Sequence, residues 1–133
     1  MGTDTLNAEA VAAAVYDAIR KSATILRPDF RRAIEEARAR AEPASRAEGV
    51  LDRILENADI AASDNVPICQ DTGSVWVCLE VGEELAVPGN IFGGVNDAVA
   101  RAYTDGRLRM SLVRDALFDR ANTGDNTPAF CEL

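Results

Sequence analysis

The segment NVPICQDTGSVWVCLEVG, residues 65–82, sets Cys69, Gln70, Asp71, Thr72 and Gly73 in one row between two apolar stretches. A thiolate is a nucleophile and a soft metal ligand, and it serves best on a rigid backbone with donors nearby to offset its charge. Beside it, Gln70 can donate and accept hydrogen bonds, and Asp71 can take up a proton. Gly73 frees the chain for a sharp turn, in which backbone N–H groups of residues 70–73 face the sulfur or a bound anion. The other reading is plainer: cysteine is among the residues most often buried, and Asp-Thr-Gly is an ordinary turn. Cys78, inside the apolar run VWVCLEV, takes that plainer reading and is expected in the core.

Two later segments bear on the same question. Leu108-Arg109-Met110-Ser111 places a guanidinium in a short extended run, where its planar fork can grip a carboxylate through two parallel bonds. Unsupported, Arg109 is a surface arginine, and Arg114 is a weaker candidate for the same work. The stretch NTGDNTPA, residues 122–129, is dense in amides, hydroxyls and a carboxylate. It reads either as a hydrogen-bonded loop that braces a site or as a self-satisfied surface turn.

The elements that must hold these residues follow from periodicity and punctuation. Residues 7–26 read as a helix capped by Asn7, with Leu6 as a staple and Val11, Val15, Ile19 and Leu26 on one face. Pro28 closes that pattern and suits the first turn of a second helix, striped by Phe30, Ile34, Ala37 and Ala41. Ser45 and Glu48 form a capping box for a third helix running to about Ala62, buried through Val50, Leu51, Ile54, Leu55 and Ala58. Strands are expected at Val66–Cys69 and Val75–Val81, a helix over Val95–Tyr103, and a further strand or an extended segment over Leu108–Val113. The fold class is therefore α+β: a helical part over residues 1–62, then a small mixed sheet with a helix and long loops over residues 63–133.

Composition narrows the chemistry. The 133 residues are 47% apolar and 27% charged, the balance of a globular protein. A formal net charge of −8 disfavours nucleic acid, whose phosphates need clustered Lys and Arg. There is no long apolar run and no basic leader at the start, so no membrane span is expected and the chain reads as cytoplasmic. Three cysteines, Cys69, Cys78 and Cys131, make an odd set in such a chain, pointing to reduced thiols or metal ligands. Histidine is absent, which removes Cys-His and Ser-His-Asp pairs within the chain.

PICQDTG, LRMS and NTGDNTPA, in that order, resemble the N-terminal α region of the iron–sulfur hydro-lyases that include class I fumarase and L-tartrate dehydratase. The upstream ILENADIA, residues 54–61, is similar to that family's approach to its cysteine motif. The resemblance implies a [4Fe-4S] cluster with Cys69 as one ligand, further ligands lying outside this chain. It implies a small 2-hydroxydicarboxylate substrate met by Gln70, Asp71 and Arg109, with Asp71 the catalytic proton carrier beside a hydroxyl from the β part. The fumarate–malate reaction is preferred to tartrate dehydration, with a β-type subunit or C-terminal domain as partner and an oligomer as the working form. Cys131 has no counterpart ligand in that pattern. On this reading the chain is an incomplete domain, inactive alone; the alternative is a non-catalytic fragment that binds a partner.

Overall fold

The computed structural model describes residues 6–70 and 73–133, which form four helices and two short strands. These are α1 (Ala8–Thr24), α2 (Pro28–Arg40), α3 (Arg46–Asp64), β1 (Trp76–Cys78), α4 (Val95–Asp105) and β2 (Phe130–Glu132). The α+β class stands, with the helices dominant and the sheet reduced to a parallel pair. The chain divides into two compact units. One contains Lys21–Gln70, and the other combines Met1–Arg20 with Asp71–Leu133.

In the Lys21–Gln70 unit, α2 and α3 lie antiparallel, tied by Arg31 to Asp59 at 2.6 Å and by Arg38 to Asp52 at 2.6 Å. Pro28 starts α2 as expected, at a position where the missing N–H costs no helical bond. Ser45 caps α3 by accepting the Glu48 N–H at 3.2 Å. The reciprocal half of the box differs: the Glu48 carboxylate takes the Ala44 N–H at 2.7 Å, because the Ser45 N–H is already spent on the Glu42 carbonyl at 3.1 Å. The expected apolar stripe is also thinner. Ala58 and Ala61 are buried, whereas Phe30, Val50 and Ile54 are exposed.

The other unit is built where α1 crosses α4. Val11 and Val15 of α1 close over Ile91, Val95 and Val99, the last two fully buried. Burying a valine side chain contributes about 1.5–3 kcal/mol, so this small cluster carries much of the unit. Asn7 caps α1 through the Glu9 N–H at 2.9 Å, and Leu6 packs onto the same cluster. A Cβ on Gly94 would stand 3.1 Å from the Ala12 Cβ, so the close approach of the two helices needs a small residue there. The Tyr16 hydroxyl donates to Asp105 at 2.8 Å and pins the far end of the crossing.

The strands depart from expectation. Residues 66–69 form no strand, and VWVCLEV contributes only Trp76–Cys78. Its partner is Phe130–Glu132, in the parallel register Trp76 to Phe130, Val77 to Cys131 and Cys78 to Glu132. Side chains alternate across a strand, so Val77 faces the cluster while Trp76 and Cys78 face away. Cys78 is accordingly exposed, not buried in the core; an apolar neighbourhood in sequence does not fix which face a strand residue takes. On that outer face Trp76 stacks on Phe130 with ring centroids 4.6 Å apart.

Candidate functional site

Cys69 closes the Lys21–Gln70 unit, and its backbone is set by the residue before it. Asn65 ends α3 in the left-handed conformation, φ 54°, which asparagine tolerates, and the Val66 N–H bonds back to Ala61 at 3.1 Å. The chain then returns toward the end of α1. There the Ile68 N–H donates to the Ala23 carbonyl at 2.9 Å, and the Ile68 carbonyl accepts from Asn57 Nδ2 at 2.9 Å. Both backbone groups of Ile68 are thus held, and Cys69 and Gln70 follow as exposed residues. Asp71 and Thr72 lie outside the described residues.

Gly73 resumes in the other unit, where three motifs meet. Its N–H donates to Ser111 Oγ at 3.1 Å, and its carbonyl accepts from Asn126 Nδ2 at 3.0 Å. The Asn126 side-chain carbonyl accepts two further bonds, from the N–H groups of Ser111 at 2.7 Å and Leu112 at 3.1 Å. Asn126 is fully buried and sits at φ 60°, where asparagine is among the few side chains that rest easily. One buried amide therefore joins the end of CQDTG to the LRMS segment. The Gly73 N–H is committed to Ser111 and not offered to a thiolate or anion.

The rest of NTGDNTPA holds itself in shape. Asn122 Oδ1 accepts the Gly124 N–H at 2.7 Å while Nδ2 donates to the Met110 carbonyl at 3.0 Å. Asp125 Oδ1 accepts from the Thr127 N–H at 3.0 Å and from the Thr127 hydroxyl at 2.8 Å. These bonds, the backbone one first, keep the Asp125 carboxyl below its usual range. Val113 bridges Asn122 and the Thr123 N–H reaches the Leu112 carbonyl at 2.9 Å, so the extended segment is an irregular hairpin arm, not a strand. Both readings of the loop hold in part: it satisfies many of its own groups, and it braces Met110–Leu112 and Gly73.

Arg109 stands two residues before Ser111, exposed, and no ion pair engages it among the described residues. Sequence reading singled out Arg109 and the loop but not Asn126 as the hub, nor Asn57 as the anchor of Ile68. The φ tolerance of Asn and its place in the densest polar loop are the signal for Asn126. Nothing in the helical periodicity marks Asn57.

The thiols divide by position. Val77 and Cys131 share one face of the strand pair and Cys78 takes the opposite one, so Cys78 and Cys131 cannot act as adjacent ligands. The Cys131 thiol is pushed up by burial although the residue as a whole is exposed, since its sulfur lies on the face toward the core. Among the described residues, no three of His, Cys, Asp and Glu converge to hold a metal ion, and no helix is long and apolar enough to cross a membrane.

A family model described as Fumarate hydratase (Fumerase) matches residues 12–133. The chain belongs to this fumarate hydratase family. It is 35% identical over 105 residues to Fumarate hydratase 2 of Leishmania major, covering 78% of this chain and 18% of that protein. It is 27% identical over 126 residues to Fumarate hydratase class I, aerobic, of Escherichia coli (strain K12), covering 94% and 23%. It is 32% identical over 87 residues to L(+)-tartrate dehydratase subunit alpha of the same strain, covering 65% and 28%. The chain spans less than half the length of the curated relatives it matches. The expected family is thereby found, and with it a hydro-lyase lineage.

Proposed function

We propose that the chain is the N-terminal part of the α region of a hydro-lyase that interconverts a 2-hydroxydicarboxylate and its unsaturated product by removing or adding water. Malate and fumarate are the preferred pair. The supporting observation is the joint at Gly73, Ser111 and Asn126, which ties the end of CQDTG to LRMS within a chain of the fumarate hydratase family. Names of relatives favour fumarate over tartrate, and the tartrate dehydratase match keeps the second substrate as the alternative.

In this reading Arg109 binds one substrate carboxylate through its two-bond fork, and Gln70 orients the substrate by hydrogen bonds. Asp71 accepts the proton from the carbon next to a carboxylate. The C–H electron pair becomes the second bond of the alkene, and hydroxide departs from the neighbouring carbon and leaves as water after gaining a proton. Such a proton is weakly acidic, so Asp71 needs a fixed position more than a strong basicity.

Cys69 fits one ligand position of an iron–sulfur cluster: it is an exposed thiol on a segment whose preceding residue is held on both backbone groups. Cys78 and Cys131 do not fit as companions to each other, so further ligands come from outside this chain. When bound, a cluster with an open iron supplies a Lewis acid for the departing hydroxyl. A β-type subunit or domain supplies the remaining substrate contacts, and the assembly works in the cytoplasm as an oligomer.

The test joins this chain to the remaining α and β regions of a class I fumarate hydratase relative, reconstitutes the product anaerobically with iron and sulfide, and follows fumarate hydration. Turnover is expected in that assembled enzyme and not in the 133-residue chain alone. An Arg109→Lys variant should raise KM more than it lowers kcat, because a point charge replaces a fork. Robust turnover by the chain alone, or equal kinetics in Arg109→Lys, contradicts the reading.

A further inference from the structure

We infer that Asn122 is a positioning residue for Arg109: opposite Asn126, it closes a grip on the Met110–Ser111 peptide that aims the guanidinium at the substrate carboxylate. The inference rests on the hydro-lyase reading and deepens it. The Met110 carbonyl and the Ser111 N–H are the two edges of one planar peptide group. Asn122 Nδ2 donates to the first at 3.0 Å, and Asn126 Oδ1 accepts from the second at 2.7 Å. Two side-chain amides of one loop therefore hold that plane from opposite edges. The Asn122 amide is itself oriented, because its Oδ1 accepts the Gly124 N–H at 2.7 Å and leaves Nδ2 turned to Met110. On the other side of Arg109, the Leu108 N–H donates to the Tyr103 carbonyl at 2.9 Å, at the end of α4. Arg109 is thus an exposed residue on a backbone held at both of its neighbours.

A planar fork meets a carboxylate through two parallel bonds only from a narrow range of approach, whereas an ammonium binds as a point charge. The direction of the backbone therefore matters to arginine and little to lysine. That difference separates aiming from folding. Asn122→Ser keeps a side-chain oxygen for the Gly124 turn and withdraws the amide N–H from Met110. In the assembled enzyme it should raise KM roughly fivefold and leave kcat within about twofold. Combined with Arg109→Lys, the same change should raise KM by less than about twofold, since there is no fork to aim. A residue that merely stabilised the loop would raise KM equally in both backgrounds or in neither.

Backbone amide relaxation, measured by magnetic resonance on the 133-residue chain, reads the grip without catalysis. The order parameter of the Ser111 amide should fall in Asn122→Ser from about 0.85, the rigid range, toward about 0.6. The Leu108 amide, held at Tyr103, should be unchanged and reports an intact fold. An unchanged Ser111 order parameter overturns the grip. A lowered order parameter with wild-type KM, or with an equal rise in KM in both backgrounds, overturns the positioning role while the hydro-lyase reading stands. Absence of turnover in the unsubstituted assembly, with the order parameter lowered as expected, overturns the hydro-lyase reading and the role built on it, leaving only a structural grip.

Discussion

Gly73 and Ser111, 38 residues apart, hold each other: the Gly73 N–H donates to Ser111 Oγ at 3.1 Å, and the hydroxyl lies 3.4 Å from the Gly73 carbonyl. A glycine that sequence reasoning assigned to turning the chain is here a docking point. Replacing Ser111 by Ala leaves the Gly73 N–H without its partner while Asn126 still holds the carbonyl. The expected loss is about 1 kcal/mol, the usual net value of one such bond. Denaturant unfolding should show that loss, and exchange should show the Gly73 amide losing protection. Full protection of that amide in Ser111→Ala would contradict the contact.

The loop behind Ser111 should weaken with acid. Asp125 is held below the usual 3.8 by the Thr127 N–H, then the Thr127 hydroxyl. A carboxyl with a lower pKa folded than unfolded stabilises the fold above its unfolded value, and that contribution is lost as pH falls through the folded value. Protection of the Thr127 amide is therefore expected to fall below roughly pH 4, and Asp125→Asn should remove that step. A Thr127 amide equally protected from about pH 3 to pH 6 would contradict the assignment.

Cys131 should be the slow thiol. Burial raises its pKa, and the thiolate is the species that reacts. Its alkylation should reach half-maximal rate at a pH above the ordinary cysteine range, read by mass spectrometry of the labelled peptides. A midpoint at or below that range would contradict the placement of its sulfur on the inner face.

Asn57 should matter to Cys69 although it lies in the middle of α3. Its Nδ2 bond to the Ile68 carbonyl is one of the two that fix the residue before the thiol. Asn57→Leu should lose about 1 kcal/mol of stability and broaden the amide resonances of residues 68–70. Sharp, unshifted resonances there would remove Asn57 from any role at Cys69.

Much of the helical part was legible because its signals are local. Asn7, Pro28 and Ser45 act through their own neighbours in sequence, and each starts its helix as read. The third helix's stripe was less so, since a thin helical pair leaves Val50 and Ile54 exposed however well they are spaced. The strands were misjudged for a related reason. VWVCLEV has the composition of a core strand, but its length in the sheet and its exposed face are fixed by pairing with Phe130–Glu132, far along the chain. The candidate site divides the same way. Residue types at Cys69, Gln70, Asp71 and Arg109 announce chemistry, whereas the supports at Asn57, Ser111 and Asn126 are ordinary polar residues whose work is visible only through distant partners.

The central claim is that Cys69 is the cluster ligand this chain contributes. Electron paramagnetic resonance of the assembled enzyme, reconstituted anaerobically with iron and sulfide and then reduced or oxidised, tests it directly. Cys69→Ser should abolish the cluster signal and turnover, while Cys78→Ser, altering a residue on the outer sheet face, should keep both. A cluster signal of unchanged shape and intensity in Cys69→Ser would contradict the account.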